Sequence, residues 1–412
     1  MITRYLEDRL YRALLLNPVV YLNGPRQAGK STLVRSLDES ALSADYVTLD
    51  SPTQLAAAVN APQDFLTKRK QSLIIDEVQL APELFREIKI AVDELRFQQK
   101  SAIHGKYLLT GSANIMAFPE LSQSLVGRMS VLTLYPLSAV EITKGKGDFI
   151  HNLFDQNFTF SQNSASFLEI MKKSTYPEIH ALDSSIRQDW FESYIATLLQ
   201  RDVRSLAQIE KLSTLPNLLR ILAARAGGLI NDAEIARDAG LNPMTCKNYK
   251  TLFKMLFITF EIAPWFRNTG KRLVKSPKGF FIDTMLLSHL LQFDIDTLEA
   301  KRPDIFGHVL ENFVASELLK LINIRNPNVS LFHFRTNDNK EVDFVLERAD
   351  NKIVGIEVKK SETVTPSDFK GLITLQELAK DDFSTGVVLY KGKDIIPFGK
   401  NLWAIPLPML WQ

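Results

Sequence analysis

Short apolar runs recur along the first third of the chain, separated by longer segments whose apolar residues repeat every three or four positions. The runs lie at residues 19–22, 45–50, 72–77, 107–112 and 130–134, and their length is typical of β-strands. The segments 5–16 and 82–95 have the periodicity of amphipathic helices. Strands that alternate with helices predict an α/β fold with a mostly parallel sheet in three layers.

The first predicted strand leads directly into the sequence GPRQAGKST. Its glycines, lysine and first hydroxyl residue match every fixed position of the phosphate-loop signature. Glycines let backbone N–H groups face phosphate oxygens, while the lysine reaches the terminal phosphates and the serine ligates Mg²⁺. The alternative is a glycine-containing turn before a helix, but the preceding strand favours binding of ATP or GTP. The residues predicted to bind nucleotide are Gly24, Pro25, Arg26, Gln27, Ala28, Gly29, Lys30, Ser31 and Thr32.

A phosphate loop also needs a carboxylate near its Mg²⁺, supplied from the end of a neighbouring strand. Asp76 fits this position, and Glu77 beside it can polarise an attacking water as a general base. The other interpretation is a buried strand that ends in acidic residues at the surface. Ser112, at the end of the run 107–112, is predicted to orient the water, although small hydroxyl residues are common at strand ends.

Arg128 precedes the last of these strands, in LVGRMS. An arginine there can meet the charge that develops on the transferred phosphate, within the chain or across a subunit interface. A solvent-facing arginine before a strand is the alternative interpretation. The sequence leaves the choice open.

The segments GPRQAGKST, LIIDEVQ, LLTGSAN, LVGR and LYPLS together resemble the ATPase domain of a prokaryotic family of AAA+ proteins that carry a C-terminal domain of uncharacterised role. The resemblance continues through YPEIH, residues 190–204 and the C-terminal third. It implies ATP and Mg²⁺ as cofactors, with the family's roles on Lys30, Ser31, Asp76, Glu77 and Arg128. A second sensor arginine is not evident, and the candidates are Arg187, Arg201 and Arg204.

Two helical patterns follow each other between residues 231 and 256. Asn231 is a predicted N-cap with Glu234 three residues later, the first helix ends at Gly240, and Pro243 opens the second. The second helix has one apolar face, formed by Cys246, Tyr249, Phe253 and Leu256, and places outward Thr245, Lys247, Asn248, Lys250 and Lys254. The pattern resembles a winged helix-turn-helix. Contact with DNA and a role as an interaction or spacer module both remain open.

A second group of charged residues lies in the C-terminal third. The runs 341–346 and 353–360 alternate as two strands joined by a turn at 349–351, so Asp343 and Glu357 can converge with Lys359. Carboxylate oxygens suit Mg²⁺ or Mn²⁺, and the lysine can position or help to deprotonate a water. Glu311, in the helical pattern 308–320, is a further candidate ligand.

This order of a helical Glu, a strand Asp and then Glu-x-Lys resembles the PD-(D/E)XK nuclease fold, which is restriction-endonuclease-like. Val342 stands where the literal motif has proline. An edge hairpin with charged residues on its wet face would show the same alternation. Nuclease-like domains also exist that keep the fold without the activity, so cleavage is left open.

Composition narrows the interpretation only slightly. The chain has 412 residues, enough for two or three domains, with 49 basic and 47 acidic residues, so overall charge does not indicate nucleic acid. Cys246 is the single cysteine, and the six histidines form no close pair at metal-ligand spacing. The first residues read as neither a signal peptide nor a membrane span, so we expect a cytoplasmic protein.

We therefore predict four parts: an AAA+ ATPase domain at 1–145, a helical lid or connector at 146–205, a winged-helix-like domain at 206–268 and a nuclease-like domain at 269–412. The predicted function is ATP hydrolysis coupled to a nuclease-like module that acts on DNA, with no membrane partner and with homo-oligomerisation left open. The alternative is a non-cleaving ATP-dependent switch that recruits DNA or protein. A small-molecule phosphotransferase would leave the winged helix and the C-terminal residues without a role.

Overall fold

The computed structural model describes residues 2–40, 43–69, 71–99, 104–114, 125, 127–160, 165–203, 212–267, 276–338 and 340–412. The chain forms two compact units: unit 1 comprises residues 3–136 with 253–257, and unit 2 comprises residues 137–252 with 258–412. The four-part division stays a prediction. None of the helices in the described ranges has the length and apolar character needed to cross a membrane.

Unit 1 contains a parallel sheet flanked by helices, as the strand and helix pattern predicts. The five-stranded sheet has the order β2-β3-β4-β1-β5, and each pairing in it is parallel. The strands are β1 (Val19–Asn23), β2 (Ala44–Thr48), β3 (Ser72–Asp76), β4 (Tyr107–Gly111) and β5 (Met129–Thr133). The described helices are α1 (Glu7–Leu16), α2 (Lys30–Ser40), α3 (Pro52–Asn60), α4 (Pro62–Thr67) and α5 (Leu84–Gln99). All five predicted strands are confirmed.

The parallel pairing decides where the polar residues of unit 1 meet. β1 and β4 are buried along their whole length, because helices cover a doubly wound parallel sheet on both faces. The carboxyl ends of parallel strands lie at one edge, where ligands bind in open α/β sheets. The loop after β1, the acidic end of β3 and the hydroxyl residues at the end of β4 therefore share that edge.

Unit 2 contains an eight-stranded mixed sheet with the order β12-β13-β11-β10-β9-β8-β6-β7. Its strands are β6 (Thr259–Pro264), β7 (Lys278–Phe281), β8 (Val329–Arg335), β9 (Glu341–Arg348), β10 (Ile353–Val358), β11 (Phe383–Tyr390), β12 (Ile396–Gly399) and β13 (Leu402–Pro406). The described helices that begin in unit 2 are α6 (Ala139–Thr143), α7 (Phe149–Asp155), α8 (Phe167–Met171), α9 (Ser184–Thr197), α10 (Leu215–Ala224), α11 (Asp232–Asp238), α12 (Pro243–Met255), α13 (Thr284–Leu291), α14 (Ile295–Lys301), α15 (Pro303–Arg325) and α16 (Lys370–Ala379).

The two charged strands are not an edge hairpin. β9 pairs with β8 on one side and β10 on the other, and β10 pairs in turn with β11. Residues 342–346 are all buried, so both faces of β9 are covered. The alternative of a hairpin with a wet charged face is therefore wrong, because the neighbouring strands and the packed helices place both strands inside the sheet.

The predicted helix pair is present, with one correction. Asn231 caps α11 by accepting the N–H groups of Ala233 and Glu234, and Gly240 after it has a φ of +64°. The apolar face of α12 is buried, as predicted. The predicted outward position of Lys250 is wrong, because its side chain is buried and its ammonium pairs with Asp232 and Glu261.

Candidate functional site

The backbone of the phosphate loop requires glycine at two positions. Gly24 has a φ of +149°, and a Cβ atom there would lie 2.2 Å from the carbonyl oxygen of Leu134. Gly29 has a φ of +92°, which disfavours L side chains, and α2 begins at the next residue. The loop therefore ends at a helix N-terminus, where unpaired N–H groups and the helix dipole favour an anion.

Lys30 lies inside this loop rather than on the surface. Its side chain is only 5% exposed, and its ammonium donates to the carbonyl oxygens of Gly24 at 3.0 Å and Pro25 at 2.8 Å. Ser31 follows it in the first turn of α2 and is half-buried, whereas Thr32 is exposed. Arg26 and Gly29 are half-buried, Gln27 is exposed, and Pro25 and Ala28 are buried.

Asp76, at the end of β3, is held by hydrogen bonds to both carboxylate oxygens. Tyr46 donates to Oδ2 at 2.6 Å, and Thr110 donates to Oδ1. Burial and the hydrogen bond to Asp76 raise the pKa of Tyr46 to about 12, so the phenol stays a donor at neutral pH. Because the carboxylate is fixed on both sides, its orientation at the sheet edge is set before any ligand arrives.

Glu77 adopts the left-handed backbone conformation, with φ 59° and ψ 43°. A non-glycine residue in this region is uncommon and clusters at functional sites. Its N–H donates to the hydroxyl of Thr110 at 3.1 Å. Its carboxylate accepts a hydrogen bond from Gln79, whose amide also donates to Ser112 at 2.9 Å. The predicted base and the predicted water-orienting serine are thus linked through one side chain.

Arg128 forms a bidentate ion pair with Asp93 of α5. Its Nε lies 2.6 Å from Oδ1 and its Nη2 lies 3.0 Å from Oδ2. Arg128 is therefore occupied by Asp93 in this structure, and its role at the phosphate stays a prediction. Among the candidate sensor residues, Arg187 donates to the carbonyl of Lys172, Arg201 is exposed, and Arg204 lies outside the described residues.

The C-terminal residues converge in unit 2. The register of β9 and β10 pairs Phe344 with Ile356, and one further step places Asp343 opposite Glu357. Both carboxylates are buried, with 8% and 9% exposed. The N–H of Val358 donates to Asp343 Oδ2 at 2.8 Å.

The two oxygens of Glu357 have different surroundings. Lys359 donates to Oε1 at 2.9 Å, whereas Oε2 is buried with no hydrogen-bond partner among the described residues. Burial and the charge of Asp343 raise the pKa of Glu357 to about 8, although Lys359 opposes the shift. A buried carboxyl oxygen with no donor is costly, and either a proton or a cation on that oxygen would lower the cost.

Lys278, the first residue of β7, is a member of this cluster that sequence reasoning missed. Its ammonium lies 2.8 Å from Glu311 Oε1 and 3.7 Å from Asp343 Oδ1. Burial opposes its charge, but the two carboxylates outweigh burial and raise the pKa of Lys278. Burial and Asp343 also raise the pKa of Glu311 to about 8. Nowhere in the described ranges do three His, Cys, Asp or Glu side chains lie together at metal-binding spacing.

Comparison with known proteins identifies the first part of the chain. The family model of an AAA domain matches residues 16–143. Residues 165–297 and 306–410 match two domains of unknown function, DUF8612 and DUF4143. With the complete phosphate loop at the carboxyl edge of a parallel sheet, the AAA match shows that the chain is an ATP-hydrolysing enzyme of the AAA+ type.

Whole-chain relatives come from several organisms. An uncharacterized protein of Mycobacterium tuberculosis is 30% identical over 403 residues, which are 97% of this chain and 82% of the relative. An uncharacterized protein of Haemophilus influenzae is 23% identical over 350 residues, covering 80% of this chain and 79% of the relative. A solved Walker-type ATPase of Pyrococcus abyssi is 14% identical, covers 70% of this chain and 96% of its own, and has a TM-score of 0.42.

We expect Lys30→Ala to abolish tight ATP binding, because the ammonium supplies the charge-assisted contact to the terminal phosphates. Glu77→Gln should retain binding and slow hydrolysis by about 10²–10⁴-fold, the usual contribution of a general base. Fluorescent-nucleotide binding and phosphate release measure the two effects. Lys68→Ala, which changes an exposed lysine in unit 1, is the control. Hydrolysis at the wild-type rate in the Gln variant would remove Glu77 from the role of base.

The Arg128 and Asp93 pair allows a test in which each partner is changed alone. If Arg128 acts on the nucleotide, Arg128→Ala should bind ATP but lose turnover, while Asp93→Asn should keep turnover. If it acts across a subunit interface, the specific ATPase rate of the wild type should also rise with protein concentration. An equal loss of turnover in both variants would show that the pair serves structure alone.

Proposed function

The chain belongs to the same family as the Mycobacterium tuberculosis protein, and we propose that its ATP hydrolysis controls a nuclease-like module that acts on DNA. The proposal of a nuclease-like module rests on the buried pair Asp343 and Glu357 with Lys359 beside it. A buried acidic pair can hold the metal ion of a phosphodiester-cleaving reaction, and an adjacent lysine can position the attacking water.

The order of elements around the pair supports a nuclease-like fold. Helix α15 precedes three consecutive antiparallel strands, β8, β9 and β10. Helix α16 then leads to β11, which is parallel to β10. Glu311 lies on α15, Asp343 on β9, and Glu357 on β10. These are the parts in the order that the sequence resemblance implies.

The donor set fits a hard divalent cation. Asp343 and Glu357 would hold Mg²⁺ or Mn²⁺, since both offer carboxylate oxygens and one oxygen of Glu357 has no hydrogen-bond partner in the described part of the chain. When bound, the ion would supply Lewis-acid polarisation of the phosphate and a more acidic water. Lys359, half-buried beside Glu357, would orient that water. The remaining predicted carboxylate, Glu311, contacts Lys278 instead.

The order of helices and strands before this module supports the interpretation of a winged helix. Helices α10, α11 and α12 are followed by the antiparallel hairpin β6 and β7. A short segment at 227–230 pairs with this hairpin through Gly227, Ile230 and the bridge from Leu229 to Lys278. Lys247 and Asn248 are exposed on α12, where the recognition helix of such a domain contacts DNA.

In the ATPase half, Ser31 and Asp76 would hold the Mg²⁺ of ATP, and Lys30 would contact the terminal phosphates. Glu77 would activate the water and Ser112 would orient it, because Gln79 links their side chains. Arg128 would supply positive charge to the transition state, within one chain or between copies in an oligomer.

The alternative is a non-cleaving switch that recruits DNA or protein. Lys278 favours this alternative, because its ammonium pairs with two carboxylates of the C-terminal cluster where a metal would otherwise supply positive charge. The two functions differ in one measurable property, which is whether the acidic pair binds a divalent cation and cleaves.

We expect Asp343→Asn and Glu357→Gln each to abolish Mn²⁺ binding in the C-terminal cluster, because one carboxylate alone leaves the ion nearly fully hydrated. Lys359→Met should keep the metal and lose DNA cleavage. Calorimetric titration of the full chain beside cleavage assays with several DNA forms measures both. Asp350→Asn, in an exposed turn of the same sheet, is the control. A wild type that neither binds Mn²⁺ nor cleaves in the presence of these DNA forms, with no Mn²⁺ binding by variants of Lys278 either, leaves the switch as the function.

DNA contact through α12 predicts that Lys247→Ala lowers DNA affinity uniformly across sequences and reduces the slope of log affinity against log salt by about one. Asn248→Ala should lower affinity without changing this slope, because it carries no charge. Lys301→Ala, an exposed lysine of α14, should have no effect. Fluorescence anisotropy at several salt concentrations tests this. If Lys247→Ala binds DNA as the wild type does, α12 serves packing or protein contact.

A further inference from the structure

We propose that Lys278 is a built-in cation of the C-terminal cluster, and that the cluster takes a divalent cation only when Lys278 is displaced. The inference rests on the proposed function, because it concerns the same acidic pair. It assigns a role to a residue that lies outside the sequence motif and comes from β7 of the winged-helix-like hairpin.

The position of the ammonium group carries the argument. It lies between Glu311 and Asp343, 2.8 Å from the first carboxylate and 3.7 Å from the second. A magnesium ion needs its ligands at about 2.0–2.1 Å, so an ion on Asp343 Oδ1 would lie within about 6 Å of the ammonium of Lys278 and be repelled by it. The other oxygen of Asp343 accepts the N–H of Val358. Oδ1 is therefore the oxygen for which lysine and metal compete.

The charge count points the same way. Metal binding requires deprotonated carboxylates, and in that state the three carboxylates of Glu311, Asp343 and Glu357 stand against two ammonium groups, of Lys278 and Lys359. A divalent cation added to this set leaves an excess positive charge beside two lysines. The same cation added without Lys278 balances the three carboxylates and the remaining lysine. Because the cluster is buried, this difference is weakly screened.

Lys278 connects the C-terminal cluster to the β6–β7 hairpin, because it is the first residue of β7. β7 is the last strand in the order of the eight-stranded sheet and pairs with β6. Asp343 and Glu357 lie on interior strands of the same sheet. A shift of the β6–β7 hairpin would move Lys278 without breaking the pairing of β9 with β10.

The test measures Mn²⁺ binding by the full chain without nucleotide. The two readouts are calorimetric titration and the metal-dependent shift in melting temperature. Lys278→Gln keeps a donor for Glu311 without the charge, and we expect it to bind Mn²⁺ at least tenfold more tightly than the wild type. Adding Asp343→Asn to this variant should remove the gain. Lys278→Met is a second variant that removes the donor as well.

The control is Lys320→Met, because Lys320 is buried in unit 2 and pairs with Glu317 at 2.8 Å, away from the cluster. A gain of Mn²⁺ affinity in this control would overturn the proposal. So would equal Mn²⁺ affinity in the wild type and the folded Lys278 variants, and that result would leave the proposed metal site standing. Absence of Mn²⁺ binding in the wild type and in both variants would overturn the metal site and this inference together. Binding by the variants alone would support Lys278 as the built-in cation.

Discussion

A charged side chain that is buried in a protein must be neutralised or fully hydrogen-bonded, because the interior replaces little of the solvation that water provides. Asp76 and Asp343 both obey this constraint with polar groups of the chain itself. Asp76 receives hydrogen bonds from Tyr46 and Thr110, and Asp343 receives one from the backbone of Val358 and lies near Lys278. The partners fix the direction of each carboxylate and therefore what it can bind.

The sequence predicts local features well because their causes are local. Apolar runs mark the strands of the parallel sheet, and the phosphate loop has a fixed spacing that its backbone demands, as the positive φ of Gly24 and Gly29 shows. The cap at Asn231 depends on N–H groups two and three residues away. The match of the AAA family to residues 16–143 confirms the class of the first domain. The roles of the individual site residues stay predictions.

The partners of the site residues are hidden from the sequence because they come from distant segments. Tyr46 reaches Asp76 from a neighbouring strand, and Arg128 meets Asp93 from α5. No spacing rule relates such residues. The period-two argument for β9 also fails in part, because a strand inside a mixed sheet is covered on both faces and its alternation no longer marks a wet side. Gln79 lies inside the quoted motif LIIDEVQ, but its link to Ser112 depends on the pairing of β3 and β4.

The two buried lysines of the candidate sites, Lys30 and Lys278, contact different groups, so a ligand replaces their contacts at a different cost. Lys30 donates to two neutral carbonyl oxygens, and phosphate oxygens form stronger charge-assisted bonds than these. A nucleotide can therefore replace the contacts of Lys30 with better ones. Lys278 contacts carboxylates that already carry the opposite charge, so a metal ion must separate a buried ion pair before it gains its own ligands. Under our proposals, the contacts of Lys30 are thus suited to exchange with a nucleotide, whereas those of Lys278 oppose a metal until the lysine moves.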